Sequence, residues 1–149
     1  MDNDGLSIVI PAHDLSDVAR IAARVEAFCA DKKISRRLAG KFNLALDEVV
    51  TNIISYAASS DGRRCEISIR IDYRDGDLAA VVSDDGKPFN PLLQPPPDID
   101  AAIEDRPIGG LGIHLLRTLM DSLDYRWSEG RNCLAFRLHV DPADPSRSK

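Results

Sequence analysis

Helical and strand-like periodicities follow one another along this chain in the order strand, helix, helix, two strands, long irregular segment, helix, two strands. A doubly wound parallel sheet needs strict alternation of strands and helices, so this order excludes that architecture. It predicts an α+β fold, a two-layer α/β sandwich whose mostly antiparallel mixed sheet carries helices on one face. We expect one domain over residues 1–140 and a flexible C-terminal tail over 141–149.

The spacing of the apolar residues predicts each element. Apolar residues three and four apart indicate a helix from Asp14 to about Lys32, and a longer one that begins after a Ser35 cap and ends near 59–62. Alternation and apolar runs indicate strands at 6–11, 65–73, 78–83, 125–128 and 132–140. Because the run at 78–83 is continuously apolar, we expect it to be buried more fully than its hairpin partner at 65–73.

Charge and composition narrow the functional classes. Nineteen basic and 24 acidic residues give a net charge of −5, which argues against a general nucleic-acid binder. No apolar stretch approaches the roughly 20 residues of a membrane span, and the N-terminus is acidic where a signal peptide is basic. We therefore expect a cytoplasmic protein without membrane or direct nucleic-acid contacts. The three dispersed cysteines form neither a disulfide framework nor a CxxC metal site.

Two polar residues on the second predicted helix stand among apolar ones. Glu48 and Asn52 are four residues apart and share a helix face that also carries valines and isoleucines. One interpretation is a hydrogen bond between the two side chains at a helix edge. The other is a carboxylate general base beside an amide oxygen that could ligate a hard cation such as Mg²⁺.

A second polar group lies where the apolar strand at 78–83 ends. The sequence there is Asp84-Asp85-Gly86-Lys87-Pro88. A carboxylate at a strand end can accept hydrogen bonds from a ligand amine, and a nearby glycine lets a ligand ring approach the backbone. An ordinary Asp-Gly turn explains the same residues equally well.

The third feature is Gly109-Gly110-Leu111-Gly112 at the start of the last predicted helix. Its N–H groups and the helix dipole suit a phosphate, although a hinge before the helix is the alternative. It follows a proline-rich segment at 84–108 that holds a possible short helix at 99–104. Irregular segments of this length are usually functional or disordered.

In this order the three features resemble the Bergerat-type ATPase fold shared by gyrase, histidine kinases and mismatch-repair ATPases. Glu48-x-x-x-Asn52 resembles the N box of that fold, Asp84-x-Gly86 the first glycine box, and Gly110-x-Gly112 the second. The phrases LALDEVVTNIISYA, VSDDGKPFNP and GGLGIHLLRTLMD are most similar to the anti-sigma factor serine/threonine kinases of bacteria. The resemblance makes residues 1–140 a histidine kinase-like ATP-binding domain.

The resemblance also implies the ligands and their contacts, namely ATP with Mg²⁺. Glu48 would be the catalytic general base, Asn52 the Mg²⁺ ligand, and Asp84 the residue that recognises the adenine amine. The loop from Lys87 to Ile108 would be the ATP lid. The residues implied in nucleotide binding are Asn52, Asp84, Gly86, Pro88, Gly109, Gly110, Leu111 and Gly112.

The implied activity is that of an ATP-dependent serine/threonine protein kinase and anti-sigma factor. Such a protein binds a sigma factor, phosphorylates an anti-sigma antagonist, and is expected to be a homodimer. The alternative is an ATP-gated partner-switching protein with little or no kinase activity, and a third interpretation has no nucleotide at all. Since the nucleotide domain takes up nearly the whole chain, we expect signals to enter and leave through partner proteins.

Overall fold

The structure is a computed structural model that describes residues 5–11, 16–59, 66–93 and 110–140. Its strands are β1 (Leu6–Pro11), β2 (Glu66–Arg74), β3 (Asp77–Asp84), β4 (Ser122–Ser128) and β5 (Arg131–His139). Its helices are α1 (Ser16–Asp31), α2 (Arg36–Ser59) and α3 (Gly110–Leu119), with a 3₁₀ turn at Pro91–Leu93. None of the helices in the described ranges is both long and apolar enough to cross a bilayer.

The five strands form one sheet in the order β1-β2-β3-β5-β4. Every neighbouring pair within the described residues is antiparallel, so this part of the sheet has no parallel pair. The predicted α+β fold is confirmed. The β2–β3 hairpin lies inside the sheet, and β3 is the central strand of the sheet.

Both hairpins close through two-residue turns. Asp75 and Gly76 have φ of 52° and 83°, and Glu129 and Gly130 have φ of 54° and 77°. Positive φ at both central residues defines the type I′ turn, whose twist matches that of the flanking strands. The register of each hairpin is thereby fixed, and with it the face on which every side chain of β3 and β5 lies.

One face of the sheet is buried beneath the helices. Alternate residues of each inner strand are inaccessible, and the rings of Phe42 on α2 and Phe136 on β5 pack with centroids 5.4 Å apart. The expectation that β3 is buried more fully than β2 is confirmed, since every second residue of β3 is buried up to Asp84, whereas the last three residues of β2 are not buried. The outer face of β3 is still partly open, with Val81 43% exposed. Period two places Leu78, Ala80 and Val82 on the buried face, and Asp84 follows them there.

The start of α2 is built as the sequence predicts. Ser35 Oγ accepts a hydrogen bond from the backbone N–H of Leu38 at 3.2 Å, which is an N-cap. Between α1 and α2 the chain turns through Lys33 at a φ of 62°, and the Ile34 N–H reaches back to the Cys29 carbonyl at 2.9 Å. This capped corner fixes where α2 begins, and hence which residues it turns toward the sheet.

Some boundaries differ from the prediction. The β4 strand begins at Ser122 instead of residue 125, because Leu123 pairs with Phe136 of β5. Asp84 belongs to β3 and not to the irregular segment. The predicted Asp14 helix start, the short helix at 99–104, Gly109 and the tail at 141–149 lie outside the described residues.

Candidate functional site

The α2 helix carries Glu48 and Asn52 one turn apart, about 6 Å along its axis. Asn52 is 6% exposed and lies among the buried apolar side chains of the helix, while Glu48 is half-buried. Burial raises the pKa of the Glu48 carboxyl above its ordinary value, and the neighbouring charge of Asp47 raises it further. A base with a raised pKa is better matched to accept a proton near neutral pH.

The side-chain oxygen of Asn52 is buried and has no hydrogen-bond partner among the described residues. A buried polar atom without a partner is costly, so a native structure that keeps one needs a reason for it. An amide oxygen is a hard ligand of the kind Mg²⁺ takes. In the described part of the chain, no group of three or more His, Cys, Asp or Glu residues could hold a metal ion.

Asp84 ends β3 on the buried face and is 7% exposed. Its Oδ1 accepts hydrogen bonds from the Gly86 backbone N–H and from Asn132 Nδ2, both at 3.0 Å. Burial raises the pKa of the Asp84 carboxyl, although these two hydrogen bonds lower it. The carboxylate is thus held in one place at the edge of the core, where it can accept from a ligand donor.

Asn132 is a residue of this site that the sequence analysis did not single out. It stands directly opposite Asp84 in the β3–β5 register and is 7% exposed. The sequence does contain a signal for Asn132. An amide stands at the first position of an alternating series whose other members are apolar, namely Asn132, Leu134, Phe136 and Leu138. Next to Asn132 on β4 lies Trp127, which is 44% exposed.

The chain that leaves β3 is attached to three other elements. Asp85 Oδ1 accepts from the Glu66 N–H on β2 at 2.8 Å, and Asn132 on β5 holds the backbone of residues 87 and 89. The guanidinium of Arg117 on α3 donates to the Leu92 carbonyl. Pro88 is exposed between the two residues that Asn132 holds.

The third predicted motif forms the first turn of α3, where Gly110, Leu111 and Gly112 stand. The first N–H groups of a helix have no partner within it and are available to an anion. The α2 helix contacts both β3 and α3. The structure therefore gathers the elements of all three motifs around α2, with Gly109 outside the described residues.

Comparison with known proteins shows the family to which the chain belongs. Residues 11–138 match the model of the histidine kinase-like ATPase domain. The serine/threonine-protein kinase BtrW of Bordetella bronchiseptica is 28% identical over 108 residues, which are 72% of this chain and 75% of that protein. The serine-protein kinase RsbW of Bacillus mycoides is 35% identical over 95 residues, or 61% of this chain and 58% of that one.

A solved structure shows the same fold. The crystal structure of the RsbU and RsbW domains of a Mycobacterium tuberculosis protein superposes with a TM-score of 0.66 and 16% identity. The match covers 93% of this chain and 33% of the other, much longer one. Since the family model spans well over half of the sequence, this chain belongs to the family of histidine kinase-like ATPase domains.

Proposed function

We propose that this protein is an ATP-dependent serine/threonine protein kinase that binds a sigma factor and phosphorylates an anti-sigma antagonist. The observation that carries the proposal is the buried oxygen of Asn52, which has no hydrogen-bond partner among the described residues and lies one helical turn from Glu48. The relatives named serine kinases support the kinase assignment. The sigma factor and its antagonist follow from the resemblance to bacterial anti-sigma kinases.

The nucleotide would be held at both of its ends. The Asp84 carboxylate would accept from the adenine amine, with Gly86 and Pro88 beside the ring. The N–H groups of residues 109–112 would bind the phosphates, because a helix start carries unpaired donors and a partial positive charge. Asn52 would direct its oxygen to Mg²⁺, which, when bound, offsets the phosphate charge.

In the transfer step, Glu48 would act on a protein hydroxyl. The carboxylate accepts the proton of a serine or threonine side chain as that oxygen forms its bond to the γ-phosphorus, and ADP leaves with the electrons of the broken bond. Phosphoryl transfer depends mostly on positioning and charge stabilisation, so one base and a small set of aligned donors suffice. The raised pKa of Glu48 suits that role.

Partners complete the proposal. We place the nucleotide domain at residues 1–140 and the protein in the cytoplasm as a homodimer that meets other proteins instead of DNA. The alternative is an ATP-gated partner switch with little or no transfer. The segment that follows β3 is hydrogen-bonded to both β5 and α3. These bonds favour the partner switch as a second candidate, since a ligand at Asp84 could then influence a surface formed by that segment.

Transfer of labelled phosphate tests the two candidates directly. The purified protein would be incubated with Mg²⁺, labelled ATP and a candidate antagonist that carries a serine or threonine, beside a Glu48→Gln variant. We expect the parent to label the antagonist and the variant to be slower by at least about a hundredfold. Glu26→Gln, an exposed change on α1, is the matched control and should transfer at the parental rate.

Binding separates the remaining outcomes. A ligand with dissociation constant Kd stabilises the fold by RT ln(1 + [L]/Kd), so Mg·ATP should raise the melting temperature of both the parent and Glu48→Gln. A shift without transfer, together with an ATP-dependent change in partner affinity, would establish the partner switch. No shift at millimolar Mg·ATP would refute nucleotide binding altogether.

A further inference from the structure

The side chain of Asn132 uses all of its hydrogen-bonding capacity inside the protein. Nδ2 donates to Asp84 Oδ1 at 3.0 Å and to the Lys87 carbonyl at 2.9 Å. Oδ1 accepts from the Phe89 N–H at 2.8 Å and from the Tyr125 hydroxyl at 2.6 Å. An asparagine has two donor hydrogens and one oxygen with two lone pairs, so nothing remains for a ligand.

Two of these contacts fix the orientation of the amide. A backbone N–H can only donate and a backbone carbonyl can only accept, so the oxygen must face Phe89 and the nitrogen must face Lys87. The group turned toward Asp84 is therefore a donor, which matches a carboxylate. Turned the other way, the amide would set oxygen against oxygen at both Asp84 and Lys87.

The hydrogen bonds of Asn132 join two parts of the site that are separate in sequence. Asp84 ends β3, while Lys87 and Phe89 belong to the segment that follows it, and all three meet on one side chain of β5. Asn132 is buried beside Asp84, so water competes little with the hydrogen bond between these two side chains. Movement of the carboxylate would break contacts to the segment, and movement of the segment would break contacts to the carboxylate.

We infer that Asn132 is a positioning residue, which holds Asp84 and the backbone of residues 87–89 in one arrangement and so sets how strongly the site prefers a purine with a 6-amino group. The inference rests on the proposed role of Asp84 in adenine recognition. A site built around a fixed acceptor rejects a ligand without the matching donor, because the buried acceptor is then left unpaired. A carboxylate free to turn away loses that discrimination.

The test compares ATP with purine riboside triphosphate, which lacks the 6-amino group. Asn132→Asp keeps the oxygen that accepts from Phe89 and Tyr125 but replaces the donor that faces Asp84 and Lys87. Asn132→Ser is the second variant, since the shorter serine side chain cannot reach Asp84 and Lys87 at the same time. The matched control is Asn43→Ala, which removes another part-buried amide, the one that donates to the Ala22 carbonyl between α1 and α2.

Dissociation constants for both nucleotides would be measured on each folded variant by calorimetry, with circular dichroism to confirm folding. We expect the parent to prefer ATP, and both Asn132 variants to bind ATP roughly tenfold more weakly with little change for the analogue. Asn43→Ala should keep the parental ratio even if it melts at a lower temperature. If the Asn132→Asp variant does not fold, the two dissociation constants of Asn132→Ser decide whether the inference holds.

Each remaining outcome contradicts a different statement. Equal losses of affinity for both nucleotides would show that Asn132 only supports the fold, and unchanged affinities for both would show that Asp84 needs no positioning. Either result overturns the inference while ATP binding stands. A parent that binds neither nucleotide would overturn the proposed function itself, and the inference with it.

Discussion

Ser35 caps the helix that carries the proposed base and metal ligand, through a 3.2 Å hydrogen bond from the Leu38 N–H to its side-chain oxygen. The Ser35 side chain is buried, 2% exposed, so water cannot replace it as the acceptor. We expect Ser35→Ala to lower the free energy of unfolding by about 1 kcal/mol. Urea unfolding of the two proteins measures the difference.

The nucleotide affinity of the folded Ser35→Ala protein should stay at the parental value, because the cap lies more than three helical turns before Glu48. Ser35→Thr, which keeps a hydroxyl, is the matched control and should recover most of the lost stability. Equal midpoints and slopes for parent and alanine variant would disprove the contribution of the cap.

The pH dependence of transfer should reflect Glu48. Burial and the charge of Asp47 raise its pKa, and a general base works only when deprotonated. The rate should therefore fall as the pH decreases through that pKa and level off above it. Asp47→Asn removes the neighbouring charge, so its acidic limb should move to lower pH.

Phosphate transfer to the antagonist, measured from pH 5 to 8 at saturating ATP, tests this expectation. Asp47 also accepts from the Thr51 hydroxyl at 3.1 Å, so Thr51→Val controls for the loss of that bond and should leave the pH profile in place. An acidic limb that does not move in Asp47→Asn would contradict the assignment of Glu48 as the titrating base.

Removal of the Asn52 amide should abolish the effect of Mg²⁺ on nucleotide affinity. Its buried oxygen has no partner among the described residues, so its loss breaks no hydrogen bond of that oxygen in the described fold. We expect Mg²⁺ to tighten ATP binding to the parent by roughly tenfold or more and to leave Asn52→Ala unaffected. Titrations with Mg²⁺ and with a chelator provide the comparison.

Asn43 is another amide on α2, but its side chain contacts α1. The Asn43→Ala variant should therefore retain the full response to Mg²⁺. A Mg²⁺ response of parental size in Asn52→Ala would remove Asn52 from the metal site. It would leave the roles of Asp84 and Glu48 untouched.

Asp84 should reduce the stability of the ligand-free protein. Its pKa is raised by burial in the folded state, so the folded protein binds that proton more tightly than the unfolded chain does. Stability from this group is therefore gained as the pH falls through the folded pKa and lost as the pH rises. We expect Asp84→Asn to be more stable than the parent at neutral pH and to lose that advantage in acid.

Melting temperatures of the two proteins between pH 4 and 8, without nucleotide, measure this difference. Asp85→Asn is the control, since Asp85 is less buried and accepts from the Glu66 N–H at 2.8 Å. A parent more stable than Asp84→Asn at neutral pH would contradict the expectation. Asp84→Asn should also bind ATP more weakly, because an amide offers the adenine amine a poorer acceptor.

Local signals made much of this fold predictable. The Ser35 cap and the hairpin of the strands predicted at 65–73 and 78–83 depend on residues close together in sequence, and both are confirmed. The two-layer α+β architecture followed from the order of the elements. The positions of Glu48 and Asn52 on one helix face followed from the helical period.

Features that depend on distant partners were missed. Asn132 matters because β5 pairs with β3 and brings it opposite Asp84, 48 residues away in sequence. The start of β4 was placed three residues late because Leu123 joins the strand through its pairing with Phe136. A continuous run of apolar residues at 78–83 does not reveal that only one face of β3 meets the helices, which leaves Val81 43% exposed.

Three residues paired across neighbouring strands, at the end of the sheet that carries Asp84, have a practical consequence. Asp84, Asn132 and Trp127 occupy adjacent strands in register, so the backbone of Trp127 lies about two strand spacings, or roughly 10 Å, from that of Asp84. Trp127 is the single tryptophan of the chain and is 44% exposed. Its emission spectrum is therefore a built-in optical probe of this end of the sheet, and it can follow events there in real time without any attached dye.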